Sequence, residues 1–428
     1  MLYCVSESEF EDFPKEPTAK MSNRIRLSLI SISCVLVFYI VLGGVLGRSD
    51  SPSSNNEKAY KDLGVYSEVL DRIKSDYVTE PDLKQVTDGA IRGLLEALDP
   101  YSTYLSPPQY KEYVDHPEPG PASVGMFLSK RAGFATVISV LPGSPAEKAG
   151  GKAGDLLDRV ENSPTREFSV VQLQRMLAGA TGTAVSVTLV REARGEPQTM
   201  SLTRAVLNYP PVVAKMLEDG TGYLRVAAFN TGKAGEISSK LRELTSKGAS
   251  KIVLDLRNCA DGEVEEAVDA ASLFLDKGLV GYVYGQRYPR RDITAKGNAE
   301  VVRLPLAVLI NQSTAGPAEL VAAAVSENKR GEVVGVRSFG VGVYQKLIPV
   351  GDGSALLLSV AKYYGPDGKT IQDNGVAPTV VQAAEGETAS LDDDNEQAGP
   401  EHFGDKDDLQ LQKAIETLKQ KYSVAKAA

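Results

Sequence analysis

Two histidines, His116 and His402, are all that the 428 residues offer for imidazole chemistry. The first stands beside a Pro-rich stretch and the second in an acidic one, so a Ser-His-Asp triad cannot be assembled in a folded core. Three cysteines, Cys4, Cys34 and Cys259, form no CxxC pair, and the histidines are too sparse for a histidine-rich zinc site. Gly340-Val-Gly342 lacks the Lys-Ser/Thr ending of a phosphate loop, and Asp392-Asp-Asp394 reads as a solvated charge run. No cofactor or metal is expected. The remaining nucleophile candidates are Ser313, Thr314 and Cys259, with Lys346 as the nearby amine. A serine–lysine pair works when a lysine kept unprotonated by burial removes the hydroxyl proton, so that Oγ can attack a carbonyl. If Val341 to Lys346 is a strand, however, Lys346 points away from the face holding Val341 and Gln345. Cys259 has no evident base.

The elements around these residues carry more information than the residues themselves. Val308 to Gln345 reads as a strand, an Asn-led turn opening a helix, a second strand, and a Phe-Gly-x-Gly-x-x-Gln segment. This order resembles the carboxy-terminal processing (tail-specific) peptidases, which write it as Asn, a S-A-S-A-S-E run and F-G-K-G-x-x-Q. Asn311, Glu319, Gly335, Phe339, Gly340, Gly342 and Gln345 fall on the pattern. Registered on Glu319, the family's nucleophilic serine falls at Gly316. Registered on Phe339-Gly340, its general-base lysine falls at Val341. Gln345, which in the family positions the lysine, is retained. The resemblance extends to Leu98-Asp-Pro-Tyr-Ser-Thr-Tyr-Leu-Ser106, with Tyr101 in place of His, to Leu254-Asp-Leu-Arg-Asn258, and to Tyr363-Tyr-Gly-Pro-Asp-Gly-Lys-Thr-Ile-Gln372 followed by Asn374-Gly-Val-Ala-Pro378. Gly143-Ser-Pro-Ala-Glu-Lys-Ala-Gly150 with Gly154-Asp155 is similar to a PDZ domain.

The resemblance implies an α/β (α+β) multidomain chain: an N-terminal helical segment, an inserted PDZ β-sandwich-like domain and a tail-specific peptidase α/β core. Alternation of strands and helices from Tyr209 to about Gln382 agrees with the core assignment. The expected boundaries are a cytoplasmic tail at 1–24, a transmembrane anchor at 25–47, helices at 57–115, the PDZ domain at 120–205, the core at 206–382, an acidic linker at 383–408 and a last helix at 409–424. Leu63, Tyr66, Leu70, Ile73 and Tyr77, then Leu83, Val86, Leu94 and Leu98, recur at helical spacing.

Residues 25–47 are long and apolar enough to cross a bilayer. Lys15, Lys20, Arg24 and Arg26 lie at or before its start and only Arg48 closely follows, which orients the main body outside the cytoplasm, in a bacterial periplasm or cell envelope. A signal peptide cleaved near Val45-Leu-Gly47 is the other reading. The net charge of −9 argues against nucleic acid as a partner.

The same register predicts lost chemistry. Gly316 has no side chain to attack with and Val341 no nitrogen to accept a proton. Where the family writes N-P-G-G to point backbone N–H groups at the oxyanion, this chain has Ala260, Asp261 and Gly262, and a carboxylate there opposes developing negative charge. The expectation is therefore an inactive homologue that binds protein C-termini or unfolded exported polypeptides, or regulates an active peptidase. Val124, Gly125, Met126 and Phe127 resemble the loop whose N–H groups hold a terminal carboxylate while the peptide adds as a strand. The alternative is an active serine-type endopeptidase with a non-standard site.

Overall fold

The computed structural model describes residues 53–116, 120–131, 133–191, 196–297, 301–384 and 403–427. The expected tail and anchor at 1–24 and 25–47, and His402, lie outside them. Two compact units are present, Met1–Leu83 and Lys84–Ala428. The first holds helix α1, Ser53–Asp76. Of the apolar positions predicted to pack there, Leu63 is 60% exposed, as is Tyr77 just beyond the helix.

The second unit opens with α2 (Leu83–Glu96), β1 (Thr103–Leu105) and α3 (Pro107–Asp115). In α2 the buried residue is Leu95, whereas Leu94 and Leu98 of the predicted stripe are exposed, so the helix is rotated by about one residue from that expectation. A β domain follows, made of β2 (Met126–Arg131), β3 (Phe134–Val140), the short α4 (Pro145–Lys148), β4 (Leu156–Val160), β5 (Ser163–Pro164), α5 (Val170–Leu177), β6 (Ala184–Val190) and β7 (Gln198–Thr203). Its sheet runs β2-β3-β4-β6-β7, with β5 paired to β4, leaving β2 as an edge. Val124, Met126, Leu128, Val137, Leu173, Leu177 and Val185 form its core.

The remaining elements are β8 (Val213–Met216), β9 (Thr221–Arg225), α6 (Lys233–Ser246), β10 (Lys251–Asp255), α7 (Val264–Ser272), β11 (Leu279–Tyr284), β12 (Arg291–Thr294), β13 (Leu306–Ile310), α8 (Pro317–Glu327), β14 (Glu332–Gly335), β15 (Val343–Pro349), β16 (Ala355–Tyr364), β17 (Val380–Val381) and α9 (Leu409–Ala427). The sheet β17-β14-β13-β10-β9-β8 is parallel except for β8. Its central strands read as unbroken apolar runs because both faces are covered. Leu306, Val308 and Ile310 face one cluster with Val321, Val325 and Ala270, and the alternate Ala307 and Leu309 face Leu411, Ala414 and Leu418 of α9. An antiparallel sheet, β1-β16-β11-β12 with β15 on β16, completes the unit.

Phe403 to Asp408, read from sequence as the end of a linker, is docked instead. Phe403 lies between the Arg225 and Arg257 guanidiniums, 4.0 and 4.5 Å from its centroid, and Asp408 is buried. Arg257 donates to Asp255 at 2.9 and 2.5 Å and to Asp408 at 2.9 and 2.6 Å. Composition alone made this stretch the end of an acidic linker; Asp408 has a buried partner 151 residues away.

Candidate functional site

Side-chain hydrogen bonds of Asn311 and Thr314, with one backbone pair, build the turn between β13 and α8. Asn311 accepts from the N–H of Asn258 at 3.0 Å and donates back to the Asn258 side chain at 2.7 Å, tying this turn to the one after β10. Thr314 donates its hydroxyl to the Leu256 carbonyl at 2.9 Å, and the Ala315 N–H goes to the Cys259 carbonyl at 2.9 Å. Gly316 then adopts φ 58° and ψ −121°, a conformation that costs an L-residue of order 1–3 kcal/mol. A Cβ there would meet nothing nearer than the Ala260 carbonyl oxygen at 3.8 Å.

Glu319 brings the two chemical positions together. Its carboxylate, fully buried in the first turn of α8, accepts through Oε2 from the N–H groups of Gly316 (2.9 Å) and Val341 (2.8 Å). Through Oε1 it accepts from Ser338 Oγ (2.5 Å) and the Gly340 N–H (2.8 Å). Positions 316 and 341 therefore share one oxygen and are neighbours in space. Burial pushes the Glu319 carboxyl up to about 7, against the pull of its four donors.

At the place where a base would stand there is a hydrophobic contact. Val341 and Val343 pack against the core of the β2–β7 domain. Gln345 donates instead to the Tyr101 carbonyl at 3.0 Å. Lys346 is exposed, its Nζ 5.1 Å from the Tyr288 ring centroid. Thr314 is fully buried and its hydroxyl is engaged, while burial pushes the Cys259 thiol up, away from the reactive thiolate. Neither Thr314 nor Cys259 is paired with a base among the described residues, and the Ser338 hydroxyl that meets Glu319 is fully buried.

In the turn after β10, Asn258 has φ 59° and Gly262 φ 133°. A Cβ on Gly262 would lie 2.4 Å from the Phe229 carbonyl carbon, so only glycine fits. The Asp261 carboxylate accepts from the Tyr209 hydroxyl at 2.6 Å, and burial raises its pKa. Reading the sequence missed one further residue. Pro317, the first residue of α8, has no N–H, although the residue after a nucleophile at a strand-to-helix turn is a common oxyanion donor. The signal was available in the proline itself.

The loop before β2 has the opposite character. Val124 and Met126 are buried in the domain core, Phe127 is half-buried, and Gly125 has φ 82°. The carbonyls of Val124 and Gly125 accept from Ala146 and Leu141 at 3.0 and 2.9 Å, but their N–H groups donate to no acceptor among the described residues. Ser139 Oγ on β3 donates to the Asn258 carbonyl at 2.7 Å, and Arg131 at the end of β2 donates to the Phe339 carbonyl at 3.2 Å. The β domain thus contacts the turn after β10 and the segment between β14 and β15.

The pattern of Peptidase family S41 matches residues 220–382, that of the PDZ domain residues 136–191, and that of the activating protease CtpB N-terminal domain residues 46–107. The chloroplastic C-terminal processing peptidase of Tetradesmus obliquus is 31% identical over 76% of this chain and 74% of its own. The carboxy-terminal-processing protease of Bartonella bacilliformis is 29% identical over 81% and 82%. Among solved structures, the photosystem II D1 C-terminal processing protease superposes with a TM-score of 0.62 at 27% identity, covering 76% of this chain and 94% of that one. The fold and site define a PDZ-bearing serine peptidase architecture. The chain belongs to the carboxy-terminal processing peptidases of family S41.

Proposed function

We propose that this chain is a catalytically inactive member of its family that holds polypeptide C-termini, or extended segments, as a scaffold or as a regulator of an active peptidase. The observation that carries this is the pairing of Gly316 with Val341 on one Glu319 oxygen. The frame that would align a nucleophile and a base is complete, and neither position has a functional group. Altered donors support the same reading, since Pro317 offers no N–H and Asp261, held by the Tyr209 hydroxyl, stands in the turn where flexible glycine is expected. Binding is supported by the free N–H groups of Val124 and Gly125 beside the open edge of β2, the arrangement that captures a terminal carboxylate and adds its chain as a strand. We further propose that residues 25–47 anchor the protein in the membrane with its main body outside the cytoplasm.

The test combines two assays on the purified chain from residue 49 onward. Fluorescence anisotropy with peptides bearing a free C-terminus is expected to show binding that amidation weakens. Incubation with reduced, unfolded casein is expected to leave it intact. Cleavage abolished by Ser313→Ala or Thr314→Ala would overturn the inactive reading, and absence of peptide binding would overturn the receptor reading.

A further inference from the structure

The β2–α5 groove has a direction that the contacts fix. Gly179, just after α5, pairs with Ala122, just before the loop of Val124 and Gly125, so the C-terminal end of α5 lies beside that loop. The opposite end is where α5 begins and β2 finishes. There the chain's own segment Pro100-Tyr101 crosses from one wall to the other. The Pro100 carbonyl accepts from the Val170 N–H at 3.3 Å, the first residue of α5, and the Tyr101 hydroxyl shares a 2.7 Å hydrogen bond with Ser129 on β2. Tyr101 is only 6% exposed and joins the hydrophobic core of the β domain.

A ligand entering as a strand along β2 has a limited run before it meets this bar. Met126 to Leu128, the stretch before the Ser129 tie, is three residues, about 10 Å of extended chain, so the groove holds roughly three ligand residues counted from the terminal carboxylate. We propose that Pro100-Tyr101 is a length-determining bar, with Tyr101 its principal residue: the groove admits a free C-terminus and the residues next to it, and the continuing chain must displace the bar. The proposal rests on the reading of the β domain as a C-terminus receptor. Displacement has a consequence for the cleft, because the Tyr101 carbonyl is the acceptor of Gln345 and the adjoining Asp99 holds Ser102 and Ser359. A small cavity lined by Pro100, Thr103, Lys130, Phe168, Ser169 and Gln172 lies beside the bar.

The experiment titrates Ala-Ala-Val peptides with a free carboxylate, unextended or extended upstream by Gly-Ser units to five and eight residues, against the wild-type chain, Tyr101→Ala and Ser129→Ala. Ser129→Ala removes the hydroxyl tie without a large cavity, which covers the case in which Tyr101→Ala fails to fold. In the wild type, affinity is expected to stay flat or fall as the peptide lengthens. In Tyr101→Ala the eight-residue peptide is expected to gain about tenfold over the three-residue one, with a smaller gain in Ser129→Ala. Equal length profiles in the wild type and in the folded variants would overturn the bar while leaving the receptor reading intact. No binding of any length by any of the proteins would overturn both.

Discussion

Two stretches of this protein present glycine-dependent backbone to a cleft, and they differ in what their N–H groups are doing. At the start of α8 the donors are consumed: Ala315 by Cys259, Gly316 by Glu319, and Pro317 has none to give. In the loop before β2 the carbonyls are used and the N–H groups of Val124 and Gly125 are free. A buried donor without a partner costs of order 1–3 kcal/mol, so leaving two of them open makes sense where a ligand supplies the acceptor. The comparison teaches that competence to bind an anion resides in unspent donors, which a family pattern of side-chain letters does not record.

The comparison breaks most completely if the Glu319 tether is removed. Glu319→Ala leaves four donors without their acceptor, and a loss of about 4 kcal/mol or more is expected from buried unpaired groups. Denaturant unfolding measures the loss, and hydrogen exchange should locate it at residues 316 and 338–341 while the β2–β7 domain keeps its protection. An unchanged midpoint would show that the frame is held elsewhere.

A slightly smaller effect is expected with pH. The folded pKa of Glu319, about 7, lies above the ordinary 4.5, so the folded state binds the extra proton. Its contribution is complete below about pH 4.5 and is lost as pH rises through 7, of order 3 kcal/mol in all. Glu319→Gln should flatten this part of the stability profile, and a variant profile parallel to the wild type would assign the dependence to another group.

Restoring the catalytic letters sharpens the contrast between consumed and free donors. Gly316→Ser with Val341→Lys is expected to remain without measurable casein cleavage. Adding Pro317→Ala, Ala260→Pro and Asp261→Gly is expected to bring cleavage to a measurable rate, since one recovered oxyanion donor is worth about 100-fold or more. If the double variant alone cleaves, the altered donors are irrelevant.

The smallest expected change lies in the loop before β2. Gly125→Ala places a Cβ 2.3 Å from that of Ser144 at φ 82°, which shifts the two free N–H groups. About a tenfold loss of affinity for a peptide C-terminus is expected by anisotropy, with no effect on amidated peptides.

Much of the fold was legible in the sequence because it rests on local signals. Apolar runs in β10 and β13, the glycine that only fits at 262, and the fixed spacing of Asn311, Glu319 and Phe339 are each properties of a few neighbouring residues. The stripe of α2 was misread because Leu94 and Leu95 are equally apolar, and only packing selects between them. Asp408 was read as the end of an acidic linker because its partner, Arg257, is remote in the chain.

By itself, the sequence determined the family and the absence of a hydroxyl and an amine at positions 316 and 341, since a missing side chain stays missing in any conformation. Only the tertiary structure decided that these positions meet on one Glu319 oxygen, that Gln345 turns to Tyr101, and that Pro100-Tyr101 touches both α5 and β2. Those are contacts between segments up to 244 residues apart, set by how sheets and helices pack rather than by any local preference.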